Sequence, residues 1–383
     1  MFFFNQIDVS QCDAIANSVE QLGFDFDLRG GVITRQERDI DVHGLDSCQD
    51  MDYQDSLSEV FPQTHLLCNA ASVDALQSYM LADSAGDDLR KRNKCVYKQL
   101  QECGGQRELH LLPATWRNEL ECIERDYPNF AQLFRHIRAM GSLAELDKGV
   151  IQLEPILLDG AAGSGKSTLV EILAPIIAGG FVRLSMSAAE TGAQIGGSAS
   201  TWSNSQAGLV FNTLVLGKYA NPLILLDEID KATVGNSERF SPLGPLYELL
   251  EPAMAKHFKD LSLPALEIDA SKIMWFATSN DALLIPHPLR QRMQEFEIGY
   301  PSAEDAVRVV ESVFRRLKDT EPALHRFTLG QDVLTKLATQ PARTVRAHIR
   351  VACGCAIQCS RTTVTLDDLP ATAAQRARIG FCT

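Results

Sequence analysis

ILLDGAAGSGKSTLVEILAPII, residues 156–177, reads as a buried strand, a glycine-rich turn and a helix. Gly160, Gly165, Lys166 and Ser167 fit the spacing G-x-x-x-x-G-K-[ST], in which glycines let successive backbone N–H groups curl around a polyphosphate and lysine reaches the terminal phosphates. The helix that follows adds its positive end to the same anion site. The whole turn, Gly160, Ala161, Ala162, Gly163, Ser164, Gly165, Lys166, Ser167 and Thr168, is therefore the expected nucleotide cradle, with Ser167 holding magnesium. The bare pattern also arises by chance, and the strand before it and the helix after it are what lend it weight.

Two later strands end in groups that suit the same chemistry. Asn221-Pro-Leu-Ile-Leu-Leu-Asp227-Glu228-Ile-Asp230 is an apolar run with an acidic tip, as in a buried parallel strand whose carboxyl end faces a ligand. Asp227 is placed to bind magnesium through water, and Glu228 to orient and deprotonate an attacking water. Ile273–Thr278 reads as another strand, and Asn280 beyond it is positioned for the attacking water or the γ-phosphate. The plain alternative is a strand-ending turn that favours asparagine. In IPHPLRQRM, residues 285–293, prolines set a turn that presents Arg290 and Arg292. Either is a candidate to stabilise transition-state charge on a neighbouring subunit's nucleotide, or a surface arginine in an ion pair.

These motifs, in this order and followed by a helical tail, resemble the AAA+ ATPases, and the details resemble the ATPase module of the Lon protease family. The resemblance covers about residues 112–365. Its most telling segments are STWSNSQAGLVFNTLVLGKYANPLILLDEIDKA, SPLGPLYELLEPAMAKHF, LEIDASKIMWFATSND and IPHPLRQRM. It implies ATP and Mg2+ as cofactors and the roles already given for Lys166, Ser167, Asp227, Glu228 and Asn280. It also implies Arg292 as an arginine finger acting in trans and Arg343 as a nucleotide-sensing lid arginine, with Arg346 close enough to compete. Thr201 and Trp202 take the place of the pore loop that grips substrate polypeptide in a hexameric ring; the plain alternative is a tryptophan buried under its own loop. Two departures stand out. The loop reads GAAGSGKS where GPPGxGKT is commoner, and Gln291 stands where an acidic residue usually precedes the finger.

The expected fold is α/β: a P-loop parallel sheet flanked by helices, then a small all-α lid, after an N-terminal region that is α+β or mostly helical. The expected divisions are 1–110, an acidic region of unknown role; 111–300, the large ATPase subdomain with its leading helices; 301–370, the lid; and 371–383, a tail. Gly104-Gly105 reads as the hinge after the first region. Phe24–Leu28 and Val32–Thr34 permit a β-hairpin, and residues 72–101 have helical composition with a basic cluster at Arg90, Lys91, Arg92 and Lys94. Helices between 112 and 146, after a Thr115 cap, are expected beside the nucleotide pocket, where one of their residues would touch the base.

With 383 residues, 45% of them hydrophobic, the chain has enough apolar material for two or three cores without staples. Its net charge of −13 argues against coating nucleic acid or an anionic membrane, which draws on clustered Lys and Arg. Ten scattered cysteines without paired CxxC spacing read as reduced thiols of a cytoplasmic protein. No run approaches a membrane span. After the lid, the residues to Thr383 are too few for a peptidase domain, so the expectation is an ATPase without its own protease. The resulting expectation is a homo-oligomeric, hexameric motor that remodels or threads a protein substrate, with a separate peptidase or adaptor left open. The competing readings are a nucleotide-switched assembly scaffold and, against the acidic charge, a nucleic-acid translocase.

Overall fold

A computed structural model of the chain describes residues 24–26, 33–35, 63–82, 87–189, 191–200, 205–232, 241–340 and 342–370. The chain divides into two compact units, Met1–Pro62 and Gln63–Thr383. In the first, β1 (Phe24–Phe26) pairs antiparallel with β2 (Ile33–Arg35), Phe24 opposite Arg35, as the alternating pattern allows.

The second unit is built on a five-stranded parallel sheet. Its strands are β5 (Ile156–Asp159), β6 (Phe181–Ser185), β7 (Leu223–Asp227), β8 (Met274–Ser279) and β9 (Gln294–Glu297), in the spatial order β6-β7-β8-β5-β9. The central strands are apolar because both faces are covered. Leu223 and Leu225 of β7, Met274 and Phe276 of β8, and Ile156 and Leu158 of β5 enter one buried cluster with helices Trp116–Asp126, Ala131–Leu146 and Lys166–Ile177. The alternate residues Ile224, Leu226, Trp275, Ala277 and Leu157 enter a second cluster on the opposite face. The register sets Asp159 beside Ser279 and Glu297, and Ser185 beside Asp227, so these strand tips share one carboxyl edge.

Between the sequence division at 110 and the observed one at Pro62 lies a segment that packs into the sheet's own core. Here β3 (Thr64–Leu66) pairs antiparallel with β4 (Gln106–Glu108), joined through helices Ala70–Ala82 and Asp87–Glu102. Leu67, Cys68, Leu76, Val96 and Leu100 are buried in the same cluster as Trp275 and Leu226. Gly104-Gly105 closes this small sheet. Gly105 has φ +70°, and a Cβ there would stand 2.2 Å from the Cys68 carbonyl oxygen, so only glycine fits.

The lid has its own core. Helices Ala303–Thr320, Gln331–Leu337 and Ala342–Gln358 bury Val310, Phe327, Val333, Ile349 and Ala352 together. It is helical except for a two-residue parallel ladder between β10 (Thr328–Leu329) and β11 (Thr363–Val364). Ser302 caps its first helix by accepting the Asp305 N–H at 3.1 Å. Among the described residues, no helix is long and apolar enough to cross a membrane.

Candidate nucleotide site

The glycine-rich turn leaves β5 at Gly160, whose N–H donates to Ser279 O at 3.2 Å. A Cβ at Gly160 would lie 2.2 Å from Ile298 O, which pins the turn against the chain leaving β9. Gly163 and Gly165 have φ of +83° and +94°, and Gly165 caps helix Lys166–Ile177 in the left-handed conformation. The first bond of that helix ladder runs from Leu169 N to Gly165 O, so the preceding N–H groups point back into the turn. Ala161, Ala162, Gly163 and Thr168 are exposed around it, and Ser164 is half-buried.

Lys166 is buried, at 7% exposure, and among the described residues its ammonium hydrogen-bonds to neutral oxygens. Its Nζ donates to Gly160 O at 2.7 Å, Ala161 O at 3.0 Å, and Ser164 Oγ and Asn280 Oδ1 at 3.4 Å. Among the described residues no carboxylate is within ion-pair distance of it. Burial pulls the ammonium below the ordinary lysine range, while Asp159, Asp230, Asp227 and Glu228 pull the other way. A buried cation short of an anionic partner is what a polyphosphate completes.

Asp227 collects the other half of the site. Its Oδ1 accepts from Ser167 Oγ at 2.5 Å and Thr278 Oγ1 at 2.7 Å, and its Oδ2 accepts from Arg183 Nη2 at 2.5 Å and Nε at 3.1 Å. Burial alone raises this carboxyl, but the bonds from Ser167, Thr278 and Arg183 prevail and hold it below the usual range. Glu228 follows with φ +58° and ψ +51°, a left-handed conformation that costs a non-glycine residue about 1 kcal/mol. That kink turns its side chain out to solvent while its N–H donates to Thr278 Oγ1 at 3.0 Å. Ser167 and Asp227, a hydroxyl beside an ionised carboxylate, form the oxygen donor set a hydrated Mg2+ accepts. The residues present thus fit a nucleotide and its divalent cation.

Asn280 does not serve the turn after β8. Asp281 does so, accepting the Leu283 N–H at 3.0 Å, and Asn280 is left to reach Lys166. Arg290 is held by Glu295 at 2.7 and 3.0 Å, a bidentate surface pair. Arg292 lies beyond the amino end of β9, where Gln294 N donates to Pro155 O at 2.7 Å. It is thus the length of the strand, roughly 13 Å, from the phosphate turn, and it does not join Lys166 within one chain. Its Nη1 donates to Pro288 O at 2.6 Å, and Glu251 lies 3.6 Å from its Nε. Arg343 falls in helix Ala342–Gln358, and its side chain lies outside the described residues, as do Thr201 and Trp202.

The flanks of the Thr201–Trp202 stretch are described and tightly tied. Ser198 N donates to Gln206 O at 2.9 Å, and Gln206 N to Ser198 Oγ at 2.7 Å. Beneath them Asp260, fully buried, accepts the N–H groups of Gly208 and Ser262, each at 2.8 Å. A Cβ at Gly197 would stand 2.0 Å from Asp260 Oδ1. Arg92, from the basic helix Asp87–Glu102, donates to Ser262 O at 3.2 Å, so that arginine supports this knot.

Several site residues escape sequence reasoning. Arg183 sits inside FVRLS and signals itself only as a charge within an apolar strand. Thr278 looks like an ordinary strand residue. From the helices before β5, Asn129 Nδ2 donates to Ser164 O at 3.4 Å and Gly299 O at 3.0 Å, and Tyr127 packs behind Gly165. Arg316 of the lid donates to the Tyr127 hydroxyl and stacks 4.8 Å over its ring, which ties the lid to the back of the turn.

Residues 156–300 match the family model described as ATPase family associated with various cellular activities (AAA). The Lon protease of Wolbachia pipientis subsp. Culex pipiens is 36% identical over 174 residues, 45% of this chain and 21% of that one. The mitochondrial Lon protease homolog of Homo sapiens is 29% identical over 226 residues, 58% of this chain and 23% of that one. The chain thus spans about a fifth of the length of the curated relatives it matches. Among solved structures, the RuvB Holliday junction branch migration motor of Thermotoga maritima is 12% identical with a TM-score of 0.44, over 62% of this chain and 66% of that one. Residues 156–300 are thus similar to the AAA ATPase family, and about half of the chain resembles Lon proteases.

Proposed function

We propose that this chain hydrolyses ATP and uses the energy to remodel or thread a protein substrate from within a homo-oligomeric, hexameric ring. The observation that carries the reading is the buried Lys166 ammonium, bonded among the described residues only to neutral oxygens, at the strand edge where Asn280, Ser167 and Asp227 converge. Lys166 and the turn's N–H groups bind the phosphates, and Ser167 and Asp227 would hold Mg2+. When bound, that ion supplies charge neutralisation on the transferring phosphoryl group.

Glu228 takes the proton of the attacking water, and its solvent-facing position at the strand tip suits that task. Asn280 orients the water or the γ-phosphate. Arg292, a strand's length from its own chain's turn, acts on the nucleotide of a neighbouring copy, so hydrolysis needs two subunits. Arg343 couples nucleotide state to the lid. Thr201 and Trp202, in a stretch whose two described flanks are held together over Asp260, grip the polypeptide.

The test is ATP turnover with and without an unfolded protein, in the unaltered chain and in Trp202→Ala. Stimulation by the unfolded protein and its loss in the variant support threading. Full stimulation of the variant contradicts threading and favours a nucleotide-switched scaffold.

A further inference from the structure

We infer that Arg183 is an internal counter-cation that competes with the hydrated divalent cation for Asp227 Oδ2, so that loading the metal requires the guanidinium to let go. The inference rests on the reading of Asp227 as the ligand of a metal-bound water.

A carboxylate offers about four acceptor positions, and all four on Asp227 are filled. Oδ1 takes the hydroxyls of Ser167 and Thr278, and Oδ2 takes Nε and Nη2 of Arg183. The two oxygens differ in what they can give up. Ser167 can offer a lone pair to a cation while its hydrogen stays on Oδ1. Thr278 is buried and also held by the Glu228 N–H, so it stays where it is. Only Oδ2 can turn to a metal-bound water, and only when Arg183 releases at least one of its two N–H groups.

Arg183 is built to release. It comes from β6, one of the two edge strands, where it lies opposite Leu225, two residues short of the Ser185 that faces Asp227. Its side chain is 48% exposed, against 9% for Asp227, so water takes over the guanidinium's hydrogen bonds when it leaves. The buried partner needs a positive charge beside it at all times, whereas the exposed partner does not. Arg183 supplies that charge in the free protein, and the hydrated cation supplies it in the loaded one.

Competition and simple orientation differ in the sign of their effect. If Arg183 must be displaced, removing it tightens metal binding by roughly fivefold, as befits a half-exposed, two-pronged ion pair. If it merely orients Asp227 and stays, removing it loosens the site. The experiment measures Mn2+ binding by electron paramagnetic resonance in the presence of saturating ADP. The proteins compared are the unaltered chain, Arg183→Gln, Arg183→Lys and Asp227→Asn. The expected result is tighter Mn2+ binding in Arg183→Gln, an intermediate value in Arg183→Lys, which keeps charge without the fork, and weaker binding in Asp227→Asn. Unchanged or weaker binding in both Arg183 variants beside a weakened Asp227→Asn overturns the competition and leaves the metal assignment standing. Unchanged binding in Asp227→Asn overturns the metal assignment itself, and the competition with it. Damage to the fold loosens the site, so it cannot imitate the expected tightening.

Discussion

The Thr278 hydroxyl donates to Asp227 Oδ1 at 2.7 Å and at the same time accepts the N–H of Glu228, so one side chain of β8 fixes the last residue of β7 and the acidic residue that follows it. Thr278→Val keeps the shape and removes both bonds. It should lower stability by about 1–3 kcal/mol in denaturant titration, the cost of leaving buried polar groups unpaired. It should also slow ATP turnover, and Thr278→Ser should recover both. Wild-type stability and turnover in the valine variant would contradict this role.

Asp260 makes the same kind of argument for the loop flanks. Asp260→Asn turns one of two acceptors into a donor facing an N–H group, at a cost of about 1–3 kcal/mol. Hydrogen exchange should quicken at whichever of the Gly208 and Ser262 amides comes to face the new NH2, because that N–H group loses its acceptor. Exchange unchanged at both sites would show that Asp260 does not hold these flanks.

Acid should loosen the attachment of β3 to the segment that leads into β8. Asp269 pairs with His65 at 3.1 Å; burial acts to raise its carboxyl, but the bonds from His65 and Ser271 outweigh that and hold it at about 2, below an ordinary 3.8. A depressed carboxyl contributes stability that is present above the unfolded value and lost as pH falls through the folded one. About 2 kcal/mol should therefore disappear between about pH 4 and pH 2. Asp269→Asn should flatten that part of the stability profile, measured by denaturant midpoints at each pH. An unchanged slope would assign the acid sensitivity elsewhere, for instance to Asp368, which Arg361 chiefly holds at about 2 in the lid.

Much of the sheet was legible because its strands are buried on both faces, which makes Ile156–Leu158, Leu223–Leu226 and Met274–Ala277 continuous apolar runs. The phosphate turn was legible because its glycines answer local demands: positive φ at Gly163 and Gly165, close approach at Gly160. Asn280 and Asp281 could not be told apart in sequence, since either suits a turn; only the geometry gives the turn to Asp281 and Lys166 to Asn280. Arg183 was illegible because its importance comes from the pairing of β6 with β7, a contact between residues far apart in the chain. The division at 110 followed a Gly-Gly turn that marks a tight closure between β3 and β4, within the larger unit rather than at its border.

The central claim is that the site cleaves ATP with Glu228 as base after Lys166 has bound the phosphates. The direct measurement is ATP binding and steady-state hydrolysis by the unaltered chain, Lys166→Ala and Glu228→Gln under one set of conditions. The account predicts that Lys166→Ala loses ATP binding, whereas Glu228→Gln binds ATP as the unaltered chain does and hydrolyses it at least about a hundredfold more slowly. A Glu228→Gln protein that turns over ATP at the original rate, or an unaltered chain that binds no ATP, would contradict it.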